Sequence, residues 1–399
     1  MKFILNVLKS GFVLLLFVSS AKAQQKEDPE LKVPAYTLPE ILKTSSGKTV
    51  NTVADWENIR RPEIVSLFET EVYGKLPKAF DKITYTVTND VPNAMDGKAR
   101  LKQVTIAVWR GEKSVAIHLI LFTPNNHKGP APVFVLINNR GESNTDPTRK
   151  TKSEFWPAEM AIENGYAIAS FQNSDLAPDK KETYQNGLLQ LYPELAAAPD
   201  GMKAISAWAW GASRVLDYFK TDKDIDFSKV GVVGHSRGGK TALWVGALDK
   251  RFAMVFASCS GNTGASIARR RFGEKIADIN KTFPYWFDDN YKKYNDNEAA
   301  LPVDQHMLLA LIAPRPLYTT NATQDLWADP KGSYLSVQLA QKVYDLYGKH
   351  SALPPTSPPP NTPVINSAQG YHLREGIHNL TAYDWANFIK FANYHYYNK

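Results

Sequence analysis

The chain has 399 residues, a formal net charge of +7 and a hydrophobic fraction of 43%. That length allows a large buried core, and the single cysteine, Cys259, excludes an internal disulfide. The positive balance is mild, and no basic stripe interleaves with aromatics, so nucleic acid is excluded as a partner.

In chain order, residues 1–23 read as a secretory signal. Lys2 and Lys9 flank a charged start, Phe12 to Val18 is apolar, and Ala21-Lys22-Ala23 forms an A-x-A cleavage site. The apolar run is too short to span a bilayer, and no cysteine near the cleavage site offers a lipid anchor. The mature chain, residues 24–399, is therefore expected to be exported, secreted or periplasmic, with no membrane anchor. Losing Lys2, Lys9 and Lys22 takes its net charge from +7 to +4.

Gln24 to about Lys48 is polar and reads as an extended arm. Val53 to Tyr73 has helical spacing (Trp56, Ile59, Ile64, Leu67, Phe68), with Gly74 as the stop. Alternating runs at Ile83–Val87, Leu101–Val108 and Val115–Phe122 predict antiparallel strands. From Pro132 the pattern changes to apolar strands separated by helices. The strands are Val133–Ile137, Tyr166–Phe171, Lys229–Val233, Ala253–Ala257 and Leu317–Thr320. The helices are Pro157–Asn164, Lys203–Phe219, Tyr334–Leu346 and Ala382–Tyr397. Strands apolar on both faces imply a parallel sheet covered by helices. The proline-dense stretch 354–363 reads as a surface loop inside a single domain.

Between the strand ending at Val233 and the helical run from Thr241 stands Gly234-His235-Ser236-Arg237-Gly238, a G-x-S-x-G nucleophile elbow in its required context. A chance Gly/Ser turn is the competing reading, and the placed strand and helix count against it. The elbow sets the expected fold class: an α/β-hydrolase fold with a mostly parallel central sheet, antiparallel N-terminal strands and helices on both faces, a three-layer sandwich. The chain order in that fold is serine, acid, histidine. His378, in the loop Glu375-Gly376-Ile377-His378, is favoured as base over the strand-borne His372, because a loop tip can present an imidazole. His235 is expected to point away from the serine, and His306 to be a helix residue with a structural bond. Asp325 is favoured as acid over Asp329, whose place before Pro330 suits a turn or helix cap. Ser236 is then the nucleophile, and the Arg237 backbone N–H an oxyanion donor. The Arg237 guanidinium is either a second donor or a brace for the elbow.

Gly234-His235-Ser236-Arg237-Gly238-Gly239-Lys240 resembles the G-C-S-R-x-G-K elbow of the glucuronoyl esterases, carbohydrate esterase family fifteen. The likeness extends over roughly residues 130–395, through Phe283-Pro284-Tyr285-Trp286-Phe287, Ala313-Pro314-Arg315-Pro316, Asp325-Leu326-Trp327-Ala328-Asp329-Pro330, Gly376-Ile377-His378 and Tyr383-Asp384-Trp385. It implies hydrolysis of (4-O-methyl)-glucuronate esters, as found where glucuronoxylan meets lignin alcohols. Arg237 would complete the oxyanion hole, and Lys240, Glu274 and Trp327 would hydrogen-bond the hydroxyls of the sugar ring. Lys240 could instead be a solvated helix charge, and Glu274 a partner for Arg269, Arg270 or Arg271. Two positions depart from the pattern. His235 replaces the family's usual cysteine. Ser258-Cys259-Ser260-Gly261 stands where many members place a catalytic glutamate, which throws the acid role onto Asp325. Two alternatives remain: a deacetylase of xylan acetyl esters on the same fold, and a catalytically silent carbohydrate-binding relative. No cofactor motif is present and the histidines lack metal-ligand spacing such as H-E-x-x-H, so no metal or cofactor is expected. A monomer is expected.

Overall fold

The computed structural model describes residues 28–397, so the signal-sequence expectation for residues 1–23 lies outside the described residues. Of the described residues, 34–397 belong to one compact unit, and the preceding ones, with a short 3-10 turn at Pro29–Lys32, lie outside it. Among the described residues, no helix is long and apolar enough to cross a membrane.

The centre is a nine-stranded sheet among the described residues, built from β1 (Lys82–Ala94), β2 (Ala99–Arg110), β3 (Lys113–Pro124), β4 (Ala131–Asn138), β5 (Ala167–Gln172), β6 (Ile225–His235), β7 (Met254–Ser258), β8 (Leu317–Ala322) and β9 (Gln369–Arg374). Their spatial order is β1-β2-β3-β5-β4-β6-β7-β8-β9. The first three strands form an antiparallel meander, and β3 joins β5 antiparallel. From β5 through β4 to β9 every pairing is parallel. This is the mixed, mostly parallel sheet expected from the sequence.

Period-two alternation explains the layers. Val133, Val135 and Ile137 of β4 pack into one apolar cluster with the helices Arg61–Glu71, Ala204–Phe219, Arg237–Leu248 and Pro330–Leu346. Phe134 and Leu136 face the opposite cluster, with the helices Ala158–Glu163 and Ala382–Tyr397. Because both faces are covered, all eight residues of β4 are buried, and the strand reads as a continuous apolar run rather than an alternating one.

Two elements differ from the expectation. The predicted helix over 53–73 is interrupted: α-helical Val53–Asp55 gives way to a π-helical stretch, Trp56–Arg60, before Arg61–Glu71. Pro62 is the physical reason, since it has no N–H to donate and its ring crowds the carbonyl a turn earlier. The helix predicted from Tyr334 begins at Pro330, because Asp329 caps it by accepting from the Gly332 N–H at 2.9 Å. The proline-dense loop is held against that helix, with the Tyr334 hydroxyl donating to Pro354 O at 2.6 Å and Gln338 Nε2 at 2.8 Å.

Candidate functional site

Ser236, Cys259, Asp325 and His378 all follow the carboxyl ends of neighbouring parallel strands, where open α/β sheets gather their chemistry. Ser236 sits at φ 56°, ψ −126°, a conformation that ordinary residues avoid, at the joint between β6 and the helix Arg237–Leu248. Such a backbone costs on the order of 1–3 kcal/mol and persists only when its surroundings hold it. Here the Ser236 N–H donates to Ser258 O at 2.8 Å. Glycine is required at 234, since a Cβ there would stand 1.9 Å from Gly238 O. The turn places the serine over a helix N-terminus, whose first N–H groups, Arg237's among them, have no acceptor within the helix.

The candidate acid and base come together across 53 residues of sequence: His378 Nδ1 lies 2.5 Å from Asp325 Oδ2. Asp325 is buried, whereas the His378 side chain remains 41% exposed. With Nδ1 donating to the carboxylate, Nε2 is the nitrogen left to act as base. The loop carrying His378 is gripped by Arg374, which sequence reasoning missed. Its guanidinium donates to the carbonyls of Glu375, Ile377 and Asn379 at 3.2, 3.0 and 2.8 Å. Its Nε donates to Asp384 Oδ2 at 3.2 Å. Asp384 also receives His372 Nε2 at 2.8 Å, Thr320 Oγ1 at 3.1 Å, and the Thr381 N–H and hydroxyl at 2.8 Å each. Burial alone would raise this carboxyl. The hydrogen bond from His372 and the charges of His372 and Arg374 overcome that and hold it below the usual carboxylate range.

Each alternative histidine and acid has a structural role. His372 is fully buried and also meets the Tyr318 hydroxyl at 2.9 Å. His306 engages Pro39 O at 3.1 Å. Asp329 caps its helix and pairs with Arg270 at 2.8 Å. His235 is buried beside the base, with ring centroids 4.6 Å apart. Burial, reinforced by the neighbouring His378, holds His235 neutral far below the usual imidazole range.

The Arg237 guanidinium pairs with Asp179 and lies over the rings of Phe283 and Trp286, 5.2 and 4.7 Å from their centroids. Asp179 was not anticipated from the sequence. It accepts in addition from the Tyr285 hydroxyl at 2.9 Å and from Trp286 Nε1 at 2.8 Å. The brace expected as one reading of Arg237 is thus present, and its Nε is buried without a hydrogen-bond partner. Lys240 is not a solvated helix charge. It is buried and donates to Glu274 Oε2 at 2.7 Å and to Asn262 O. Burial lowers its basicity, with Glu274 opposing. Nor does Glu274 serve the neighbouring arginines, which pair with Asp304, Asp329, Asp296 and Glu298. The Glu274 N–H donates to Trp327 O at 2.8 Å, and the Trp327 ring is exposed. Lys240, Glu274 and Trp327 are therefore tied to one another, at the end of the sheet that carries Asp325.

Cys259 occupies a left-handed backbone conformation at φ 45° and is buried, which pushes its thiol up. Its Sγ, a carboxylate oxygen of Asp325 and a ring nitrogen of His378 all lie within 4.8 Å of one another, the one group of potential metal ligands found among the described residues.

Comparison with known proteins gives a consistent result. Residues 106–348 match the family model for glucuronyl esterase, fungi. The chain is 39% identical over 395 residues to carbohydrate esterase MZ0003 from an unknown prokaryotic organism, covering 92% of this chain and 91% of the relative. It is 29% identical over 351 residues to 4-O-methyl-glucuronoyl methylesterase of Schizophyllum commune, covering 83% and 79%. Among solved structures, the glucuronoyl esterase from Solibacter usitatus superposes with a TM-score of 0.86 at 38% identity, covering 92% of this chain and all of that one.

Proposed function

The chain belongs to the glucuronoyl esterases, carbohydrate esterase family fifteen, and is a carboxylic ester hydrolase; from that premise we propose that it cleaves esters of (4-O-methyl)-glucuronic acid, such as those joining glucuronoxylan to lignin alcohols, through Ser236, His378 and Asp325. The observation that carries this reading is the His378–Asp325 pair at 2.5 Å, its imidazole half-exposed, at the same end of the parallel sheet as the elbow serine.

In the proposed reaction, Ser236 Oγ bonds to the uronate carboxyl carbon as His378 Nε2 takes its proton. The carbonyl oxygen gathers negative charge. The Arg237 N–H and guanidinium stabilise it, each such donor contributing ~3–4 kcal/mol. His378 then passes its proton to the departing alcohol, leaving an acyl-enzyme. Water, deprotonated by the same nitrogen, releases the uronic acid and returns the proton to Ser236. Asp325 holds the imidazole in the working tautomer and stabilises the imidazolium. Lys240, Glu274 and Trp327 receive the hydroxyls of the sugar ring. We read the chain as an exported, single-domain monomer with its signal removed after Ala23. It needs no metal or cofactor for this chemistry.

Release of alcohol from a benzyl or methyl glucuronate ester by the purified mature chain tests the proposal. Ser236→Ala is expected to lower kcat by about 10,000-fold or more. An inactive wild type, or an unimpaired Ser236→Ala, overturns it. Faster release of acetate from acetylated xylan would replace the substrate class, and Lys240→Ala is expected to slow only the uronate ester.

A further inference from the structure

We propose that Cys259, Asp325 and His378 form a binding site for a soft or borderline divalent cation, zinc or cadmium, and that occupancy switches the esterase off. The three donors are a thiol, a carboxylate and an imidazole, within 4.8 Å of one another. On a tetrahedral zinc ion, with bonds of about 2.0–2.3 Å, neighbouring ligand atoms stand roughly 3.3–3.8 Å apart. Closing the widest gap therefore takes a contraction of about 1 Å. Rotation of the half-exposed His378 side chain can supply it while the loop backbone stays gripped by Arg374. Of the three donors only the imidazole is exposed, so an ion reaches the group from the His378 side.

Charge and ligand softness choose the ion. Binding releases the thiol proton to solvent, and the sulfur electron pair becomes the metal bond. The imidazole stays neutral, keeping its single proton on the other ring nitrogen. One thiolate and one carboxylate then neutralise a divalent ion, as a buried site requires. A carboxylate at position 259 would have made the set all oxygen and nitrogen. The sulfur shifts it toward zinc and cadmium and away from magnesium and calcium. The fourth tetrahedral position is left for water. Whichever ring nitrogen the ion takes, the base is lost: at Nδ1 the ion displaces the bond to Asp325, and at Nε2 it occupies the electron pair that would accept the serine proton.

The test uses untagged, chelator-treated mature protein titrated with cadmium. The wild type is expected to develop the ultraviolet charge-transfer band of a cadmium–thiolate bond, saturating at one ion per chain. Cys259→Ser and Cys259→Ala are expected to lack it. This arm does not depend on the catalytic assignment. The second arm, which rests on the proposed triad, follows uronate ester hydrolysis against zinc. The wild type is inhibited and recovers on chelation, magnesium has no effect, and the inhibition constant rises at least about tenfold in Cys259→Ser, each protein compared with its own uninhibited rate. The absence of a cadmium band in the wild type overturns the site, as does equal zinc inhibition of the wild type and Cys259→Ser. A band without inhibition retains the site and removes the triad's claim on His378.

Discussion

Two of the histidine–aspartate pairs are built by the last elements of the chain, His372 of β9 with Asp384 of the helix Ala382–Tyr397, and His378 with Asp325 from the loops after β9 and β8, and they differ in what surrounds them. His372 and Asp384 lie 2.8 Å apart with both side chains fully buried. His378 and Asp325 lie 2.5 Å apart with the imidazole 41% exposed. The second nitrogen of His372 is taken by the Tyr318 hydroxyl, so every donor and acceptor of the buried pair is used internally. The outer pair leaves one nitrogen for work. An aspartate beside an imidazole thus identifies neither a catalyst nor a brace. Satisfaction of the remaining ring nitrogen does.

Substitutions break this comparison from one side or the other. His378→Ala is expected to cost about 10,000-fold or more in kcat with an unchanged melting temperature, read by steady-state kinetics and calorimetry on one preparation. Asp325→Asn keeps the shape but not the tautomer, and is expected to cost about 1,000- to 10,000-fold in kcat. Arg374→Met releases the three carbonyls of the His378 loop; a fall of about 10- to 100-fold in kcat with little change in KM is expected, because the lost property is placement of the base rather than sugar binding. Arg374→Lys should not restore it, since one ammonium cannot reach all three acceptors. On the buried side, His372→Ala is expected to lower stability by about 1–3 kcal/mol by leaving the Tyr318 and Asp384 network short of a partner, seen as a lower denaturant midpoint.

The smallest effect concerns pH. The Asp384 carboxyl titrates lower in the folded chain than in the unfolded one. Its contribution to stability is therefore complete above the unfolded value of about 4 and disappears as pH falls through the lowered folded value. Stability curves for wild type and Asp384→Asn should converge in that acidic window and separate above it.

Much of the fold and of the candidate site is legible in the sequence. The elbow declares itself because a strained turn needs glycines at fixed offsets, and Gly234 fills a space where a Cβ would strike Gly238 O. The sequence separates His378 from His372 as candidates by placing one in a glycine-bearing loop and the other in a strand, and the first is half-exposed and the second buried. Arg374, Asp179 and the position of His235 were not legible. Each draws its meaning from contacts that only the fold creates: Asp179 meets Arg237 across 58 residues, and His235 meets His378 across the sheet end. The π-turn at Trp56–Arg60 was missed for a different reason, since helical periodicity reports which residues face the core and is blind to one slipped hydrogen bond.

Arg374 grips its loop through main-chain carbonyls alone, at residues 375, 377 and 379. Every amino acid supplies that oxygen. Glu375 and Ile377 are exposed, so their side chains can be exchanged, enlarged or charged while His378 keeps its station. A library built at those two positions would vary the exposed surface around His378 without moving the imidazole, which makes this loop the natural place to seek altered preference among alcohols.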